Sequence, residues 1–172
     1  DNDIDPTGKK VTIVGSGGAA TAVEIQAALD GVAEMSIFAR DDKFKQNALD
    51  TVKKINENTN CKATFYPLED LDKLKEEIAN ADILANGTLA GMKPHDDLSL
   101  VDKSMFHPNL VVADCVYNPE ETKMVKEAKE AGVKLAVGGK GMLLWQGAAA
   151  YKLYTGLEMP TDEFRRKTKG NN

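Results

Sequence analysis

The sequence is poor in the residues that build disulfide frameworks and metal sites. Only two of its 172 residues are cysteine and only two are histidine. Cys61 and Cys115 lie at the ends of predicted strands, where a buried or half-buried reduced thiol of a cytoplasmic protein is the simplest interpretation. His95 and His107 stand alone in loop-like sequence, with no grouping of Cys, Asp or Glu that would assemble a metal site. We therefore predict that the chain holds no metal ion.

Long apolar runs and an excess of positive charge are also missing. The longest nearly apolar segment, Met142 to Tyr151, is interrupted by Gln146, and it is far shorter than the roughly 20 residues that a membrane-spanning helix needs. The formal net charge is −5, and Lys and Arg are scattered among Asp and Glu, so no basic face is offered to a phosphate backbone. We expect a cytoplasmic protein that has neither a membrane nor a nucleic acid as its partner.

What the sequence does contain is a regular alternation of short apolar runs and helical segments. Near-continuous apolar strands that alternate with helices are typical of a parallel sheet covered on both faces. The alternation predicts an α/β fold, a doubly wound six-stranded parallel sheet of the Rossmann type, as a single domain over residues 1–172. The predicted strands are Lys10–Val14, Met35–Ala39, Lys62–Tyr66, Asp82–Ala85, Leu110–Asp114 and Lys134–Val137.

The predicted helices lie between these strands and after the last of them. In the second helix, apolar residues recur at helical spacing at Phe44, Ala48, Val52 and Ile55. Residues 1–8 are interpreted as a linker or cut end, and residues 161–172 as a charged tail that ends in a helix. The predicted helices cover Gly18–Leu29, a segment through about Asn56, Glu69–Asn80, Pro119–Ala131 and Met142–Tyr154.

The turn after the first strand has the pattern Gly-x-Gly-x-x-Ala and opens a helix. A helix start carries unpaired N–H groups and partial positive charge, so a glycine-rich turn lets a diphosphate reach those donors. Gly15 would make the tight turn, Gly17 the close approach of the phosphate, and Ala20 the packing of helix on strand. A plain tight turn is the alternative interpretation. The predicted diphosphate loop consists of Gly15, Ser16, Gly17, Gly18, Ala19 and Ala20.

In a fold of this kind ligands lie outside the carboxyl ends of the strands, so the loops there are considered together. Arg40, Asp41 and Asp42 follow the second strand, where the adenosine ribose is expected. A carboxylate favours the free 2′-hydroxyl of NAD and a guanidinium favours the 2′-phosphate of NADP, so the cofactor is NAD, NADP or both. Capping of the following helix is the alternative role for Asp42.

The later loops of the same edge are expected to face the nicotinamide. Gln146, on the last core helix, is a polar residue in an otherwise apolar stretch, and an exposed amide on the solvent face is its alternative interpretation. The remaining predicted cofactor-binding residues are Asn86, Thr88, Leu89, Cys115, Val116, Tyr117, Asn118, Gly139, Gly141 and Met142.

Three segments of the chain resemble the signature blocks of the shikimate dehydrogenase family, most closely its quinate/shikimate dehydrogenase branch. They are Asn86–Pro94, Asp114–Pro119 and Gly141–Ala148, and the resemblance extends from about Gly8 to Pro160. It implies an oxidoreductase of aromatic amino acid biosynthesis that reversibly transfers hydride between NAD(P) and the ring C3 of shikimate or quinate.

The resemblance also implies roles for individual residues. The glycine loop would hold the diphosphate, and Arg40 and Asp42 the adenosine ribose. Gln146 would hydrogen-bond the substrate, and Tyr117 would stand near it. The nicotinamide side would be held by Thr88, Cys115 and the turn from Gly139 to Met142.

The chain departs from the family pattern at several positions. Ala39 stands where the family has Asn, Leu89 where the quinate branch tends to have Lys, and Lys140 where the residue is usually apolar or aromatic. One extra residue is also expected at Val137–Gly138. These differences bear on the preference between NAD and NADP more than on cofactor binding itself.

The catalytic Lys and Asp of the family belong to a substrate-binding domain that precedes the glycine loop, and only about ten polar residues precede it here. We therefore expect no catalytic residue in this chain, since Lys93 and Asp96 are more simply solvated loop charges. The chain is predicted to be the nucleotide-binding domain of a two-domain dehydrogenase, which binds cofactor without turnover.

The expected partner is shikimate or quinate, bound together with the missing domain, and a homodimer is left open. One alternative is a stand-alone dinucleotide-binding module that senses redox state or regulates a partner. Another is a dehydrogenase with a similar glycine turn, such as the folate-linked type, against which Gln146 argues.

Overall fold

Six parallel strands form one sheet in the computed structural model of the protein, which describes residues 2–43 and 45–168. The strands lie in the order β3-β2-β1-β4-β5-β6, so the chain winds outward in both directions from β1. This arrangement confirms the predicted doubly wound parallel sheet. The strands are β1 (Lys10–Val14), β2 (Glu34–Ala39), β3 (Lys62–Pro67), β4 (Ile83–Asn86), β5 (Val111–Asp114) and β6 (Leu135–Val137).

The described chain divides into two compact units, one that reaches Gly139 and one that begins at Lys140. The first unit contains the whole sheet and its helices α1 (Gly18–Leu29), α2 (Lys45–Asn58), α3 (Leu71–Ala79) and α4 (Lys123–Glu130), with a short 3-10 turn at Lys103–Met105. The second unit contains α5 (Lys140–Thr155) and α6 (Thr161–Thr168). Phe44, predicted as an inward residue of the second helix, and the end of the predicted tail, residues 169–172, lie outside the described residues.

Three helix starts differ from the prediction, and the smallest change in the first unit is at α3, which begins at Leu71 and not at Glu69. The helix after β5 was expected to begin at Pro119, but α4 begins only at Lys123. Thr122 caps it, because its hydroxyl accepts a hydrogen bond from the N–H of Val125 at 3.3 Å. The last core helix was expected at Met142, whereas α5 begins at Lys140. Gly141 therefore lies in the first turn of a helix and not in the preceding loop.

The strands bury side chains on both faces of the sheet. On one face Val11 and Ile13 of β1 belong to an apolar cluster that also contains residues of α1 and α2. On the other face Val14 belongs to a second cluster with residues of α3 and α4. The alternation along β1 follows the period of two in a strand. Helices on both faces explain why the strands are almost continuously apolar.

A buried carboxyl group, Glu24, lies on the inward face of α1. Ala20, Glu24 and Ala28 follow one another at intervals of four residues, and all three are buried. Glu24 is 0% exposed, and neither of its carboxyl oxygens has a hydrogen-bond partner among the described residues. Burial raises the pKa of Glu24 to about 8. The folded protein thus holds this side chain as a neutral acid at neutral pH.

A second buried carboxyl group, Glu77 on α3, is fully partnered. Ser36 donates to it at 2.6 Å, and the ammonium groups of Lys10 and Lys73 lie 3.1 Å and 2.8 Å from its oxygens. Burial opposes its ionisation, but the hydrogen bonds from Lys73, Ser36 and Lys10 together lower the pKa of Glu77 to about 2. Glu77 is therefore a buried charge with matched partners, in contrast to Glu24.

Candidate functional site

The loops at the carboxyl ends of the strands are joined to one another by backbone hydrogen bonds. Each loop residue donates its N–H to a neighbouring strand end or loop, so the loops after β1, β4, β5 and β6 lie side by side at one edge of the first unit. The structure thus brings together most of the predicted cofactor-binding segments. The bonds are Gly15 to Phe38 (2.8 Å), Gly87 to Val14 (2.8 Å), Cys115 to Asn86 (2.9 Å) and Gly139 to Val116 (2.9 Å).

The glycine loop turns sharply at Gly15 and then opens α1. Gly15 has φ +121°, and a Cβ added there would lie 3.0 Å from the carbonyl carbon of Gly87. A side chain is therefore unfavourable at Gly15 both for conformation and for space. Behind the loop, Ala20 is buried, and a Cβ at Gly87 would lie 2.5 Å from the Cβ of Ala20. The loops after β1 and β4 are consequently packed backbone to backbone.

The start of α1 itself is open. Gly17 is the N-cap residue, and no side chain caps the helix there. A Cβ added at Gly17 or Gly18 would have no heavy atom within 4 Å, and Gly18 and Ala19 are exposed, whereas Ser16 is buried. Uncapped N–H groups, the positive end of the helix dipole and free space together fit a diphosphate.

The segment after β2 carries paired charges. The Nε atom of Arg40 lies 3.3 Å from Oδ2 of Asp42, and their side chains are 59% and 42% exposed. Asp41 pairs instead with Lys45, at 2.8 Å. A guanidinium and a carboxylate are thus both present at the edge where the sequence predicts the adenosine ribose, and each is accessible to solvent.

A network of buried polar side chains joins the loops after β4 and β5. Asn86 donates to Asp114 at 2.9 Å and accepts from the hydroxyl and the N–H of Thr88 at 2.7 Å and 3.0 Å. Asp114 also accepts from Thr122 at 2.6 Å and from the N–H of Val116 at 2.9 Å. Asp114 has a raised pKa, because burial outweighs these three hydrogen bonds. The side chain of Asn86 is thus engaged in holding Thr88 and β5.

The residues that follow Asp114 differ in exposure. Val116 is buried, while Tyr117 is 43% exposed and Leu89, after β4, is 72% exposed. Asn118 is exposed, and its carbonyl accepts from the N–H of Lys93 at 3.2 Å. Burial, and then the charge of Asp114, raise the pKa of the Cys115 thiol to about 11. Cys115 is therefore a neutral thiol and not a nucleophile at neutral pH.

Three predicted site residues belong to the second unit. Gly141 and Met142 lie in the first turn of α5, and Gln146 follows Met142 by one helical turn on the same helix. Gln146 is exposed. Gly139, by contrast, ends the first unit, where a Cβ would lie 2.3 Å from the carbonyl oxygen of Cys115. The predicted turn from Gly139 to Met142 is therefore not a single loop. Gly139 is a buried residue that ends the first unit, whereas Gly141 and Met142 lie at the start of α5.

The part of the chain that the structure describes also bears on metal ligands, membrane spans and the isolated loop charges. Within residues 2–43 and 45–168, no group of three or more His, Cys, Asp and Glu side chains could hold a metal ion. No described helix is long and apolar enough to cross a membrane. Lys93, His95 and Asp96 are exposed, and Nε2 of His107 lies 3.1 Å from the carbonyl oxygen of Ala81.

The structure adds two residues to this edge that the sequence did not single out. Asp114 ends a predicted strand and opens one of the three blocks that resemble the family, but its side chain was assigned no role from the sequence, although a carboxylate at such a position is a usable signal. Asn47 on α2 donates its side-chain amide to the carbonyl oxygen of Ser16, across 31 positions of sequence. The sequence does not predict this contact, because Asn47 is one of several exposed polar residues on α2.

A family model and several curated proteins are similar to this chain. Residues 139–167 match the family model described as the Shikimate 5'-dehydrogenase C-terminal domain. A shikimate dehydrogenase (NADP(+)) from Listeria innocua serovar 6a is 50% identical over 159 residues, which are 92% of this chain and 54% of that protein. The chain thus spans about half the length of the curated relatives it matches.

Solved structures of similar proteins include several with a bound dinucleotide. Shikimate 5-dehydrogenase from Listeria monocytogenes in complex with shikimate and NAD has a TM-score of 0.91 and 48% identity, covering 95% of this chain and 57% of that one. Quinate dehydrogenase from Corynebacterium glutamicum in complex with NAD has a TM-score of 0.83 and 26% identity, covering 96% and 56%.

Proposed function

The chain belongs to the shikimate dehydrogenase family, and we propose that it is the nucleotide-binding part of an NAD(P)-dependent enzyme that oxidises shikimate or quinate. Oxidation of the alcohol at ring C3 would give the 3-dehydro acid; it requires a hydride acceptor, which NAD(P)⁺ would supply, and a base for the hydroxyl proton. The observation that carries the proposal is the uncapped, open start of α1 at Gly17 and Gly18, in a chain 50% identical to a shikimate dehydrogenase.

We assign the cofactor contacts to the edge described above. The N–H groups at the start of α1 would bind the diphosphate, and Arg40 and Asp42 would bind the adenosine ribose. Thr88, held by Asn86, and the segment that begins at Cys115 would line the nicotinamide side. The bound nicotinamide supplies the hydride acceptor, while the residues of this chain hold and orient the dinucleotide.

Substrate contacts from this chain would be few. We expect Gln146 to hydrogen-bond the substrate, and we expect Tyr117 to stand near the substrate. Proton transfer from the substrate hydroxyl needs a titratable group within hydrogen-bond reach. Lys93 and Asp96 are exposed loop residues, and neither takes part in the buried network around Asp114. We therefore propose that residues 1–172 bind the cofactor but do not turn over substrate.

Binding and turnover measurements on the chain test this proposal. We expect NADP⁺ or NAD⁺ to bind the 172-residue chain in calorimetric titration, with no formation of reduced cofactor when shikimate or quinate is added. A longer protein that contains this chain should oxidise one of the two acids. Absence of dinucleotide binding would refute the proposal, and measurable oxidation by the chain alone would refute its second part. Binding without turnover by the longer protein would favour a sensor module.

Replacing Arg40 or Asp42 should change cofactor preference in opposite directions. Arg40→Ala removes the cation for a 2′-phosphate and should weaken NADP⁺ by about tenfold, with a smaller loss for NAD⁺. Asp42→Ala removes the acceptor for a free 2′-hydroxyl and keeps the Arg40 guanidinium, so it should weaken NAD⁺ more than NADP⁺. Calorimetric titration of both variants with both dinucleotides measures these differences.

Lys53→Ala serves as the control for this pair, because it removes an exposed positive charge of α2 that pairs with Glu57. Its affinities should equal those of the parent chain for both dinucleotides. Equal losses for NAD⁺ and NADP⁺ in Arg40→Ala and in Asp42→Ala would contradict the assigned ribose roles.

A further inference from the structure

One side chain connects the helix that follows the ribose segment to the glycine loop. Asn47 lies in the first turn of α2 (Lys45–Asn58), only five positions after Asp42. Its Nδ2 atom donates to the carbonyl oxygen of Ser16 and lies 3.2 Å from the hydroxyl of Thr21 on α1. A single amide therefore contacts the loop before α1 and the helix itself.

The contact of Asn47 with the Ser16 carbonyl orients the whole peptide group between Ser16 and Gly17. The peptide group between Ser16 and Gly17 is planar and trans, so its C=O and its N–H point in opposite directions. Because the amide of Asn47 holds the carbonyl oxygen toward α2, the N–H of Gly17 is turned the other way. That N–H stands at the N-cap of α1, where no side chain caps the helix. The orientation of a donor at the open helix start is thus set from α2.

We propose that Asn47 is a positioning residue for the dinucleotide: it orients the Ser16–Gly17 peptide toward the diphosphate and links it to the ribose segment. This inference rests on the proposed function of the chain. Asn47 acts through the backbone and does not itself contact the cofactor. Loss of its amide should therefore weaken ligands that contain the diphosphate and spare fragments that contain only the adenosine ribose.

Three variants separate this role from a general effect of substitution on α2. Asn47→Ala removes the donor, and Asn47→Asp keeps the shape of the side chain but places a carboxylate beside the Ser16 carbonyl. Gln46→Ala is the matched control, because Gln46 is the preceding amide on α2 and its side chain donates instead to Asp50, at 2.8 Å. Thermal unfolding of each variant shows how much of any effect is a loss of stability.

Calorimetric titration with NADP⁺, NAD⁺ and adenosine 2′-monophosphate supplies the decisive readout. We expect Asn47→Ala to weaken both dinucleotides by about three- to tenfold, the range for one lost hydrogen bond, and Asn47→Asp by at least as much. Affinity for adenosine 2′-monophosphate should stay within about twofold of the parent in Asn47→Ala, since no diphosphate contact is involved. Gln46→Ala should match the parent for all three ligands.

A second measurement does not depend on binding. The NMR order parameter of the Gly17 amide should be lower in Asn47→Ala than in the parent or in Gln46→Ala, because the peptide group is no longer held. The inference is overturned if Asn47→Ala binds both dinucleotides as the parent does, or if the fragment and the dinucleotides lose affinity equally. Failure of the parent chain to bind any dinucleotide would overturn the proposed function as well.

Discussion

Gly17→Ala is expected to remove most of the affinity for dinucleotides and to leave the fold intact. Gly17 has φ −79° and ψ −177°, which any residue adopts, and an added Cβ would meet no heavy atom within 4 Å. The free energy of unfolding should therefore change by less than about 1 kcal/mol. The new methyl group, however, would stand at the open start of α1, where we propose that the diphosphate approaches. Calorimetric titration should show at least about a tenfold weaker binding.

Gly15→Ala provides the opposite control. Gly15 has φ +121°, and its added Cβ would lie 3.0 Å from both Gly87 and the methyl group of Thr88. Here the free energy of unfolding should fall by about 1–3 kcal/mol, as measured by urea denaturation. If Gly17→Ala binds dinucleotides like the parent chain, the diphosphate does not bind at this turn. If Gly17→Ala unfolds like Gly15→Ala, the space around Gly17 is not open.

Most of the fold could be predicted because it depends on local patterns. The bounds of β1 and α1 agree with the prediction at both ends, since a buried apolar run followed by glycines marks both a strand end and a helix start. The helix after β5 was placed too early, at Pro119. Its true start is fixed by the N-cap Thr122, a local signal that competes with Pro119, which also suits a helix start. The bond of the Thr122 hydroxyl to Asp114 is a tertiary contact, and it favours the later start.

In the candidate site, too, the positions of the loops could be predicted from the sequence, but the side-chain contacts between them could not. The rule that ligands bind at the carboxyl ends of parallel strands selected loops that the structure places side by side. The rule does not say which side chains hold those loops together. Asn86 and Asp114 are 28 positions apart, and Asn47 and Ser16 are 31 apart. These pairs meet only because the sheet order brings their elements together.

Glu24 is a residue that the helical pattern could have identified. It stands four residues after Ala20 and four before Ala28, on the stripe of α1 that faces the sheet. A carboxyl group at the centre of such a stripe is either paired or neutral. The absence of a partner among the described residues decides for a neutral acid, and this gives the second large expected effect.

Replacing Glu24 should stabilise the protein, and the gain should increase with pH. The pKa of Glu24 is about 8 in the folded state, against an ordinary value of 4.5. Between these values the folded protein holds a proton that the unfolded chain releases, so the free energy of unfolding falls as pH rises. This decrease in the free energy of unfolding is absent below pH 4.5 and complete above about pH 8. In total it amounts to about 3–5 kcal/mol.

Glu24→Gln keeps the size of the side chain and cannot ionise, so it should abolish this pH dependence. Glu24→Met also removes the unpartnered polar atoms, and we expect it to stabilise the protein further, by about 1–2 kcal/mol. Urea denaturation at pH values from 5 to 9 measures both effects as the difference between variant and parent. Parallel pH profiles for Glu24→Gln and the parent would contradict a raised pKa at Glu24.

Glu77→Gln should show the reverse dependence, which makes it the control for the sign. The pKa of Glu77 is lowered to about 2, so its ionised form stabilises the fold above its ordinary value of 4.5 and this contribution is lost as pH falls toward 2. At neutral pH the parent should therefore be more stable than Glu77→Gln, and this difference should shrink as pH falls. At the same neutral pH the parent should be less stable than Glu24→Gln. The opposite signs follow from partners alone: both carboxyl groups are buried, but only Glu77 has cations and a hydroxyl beside it.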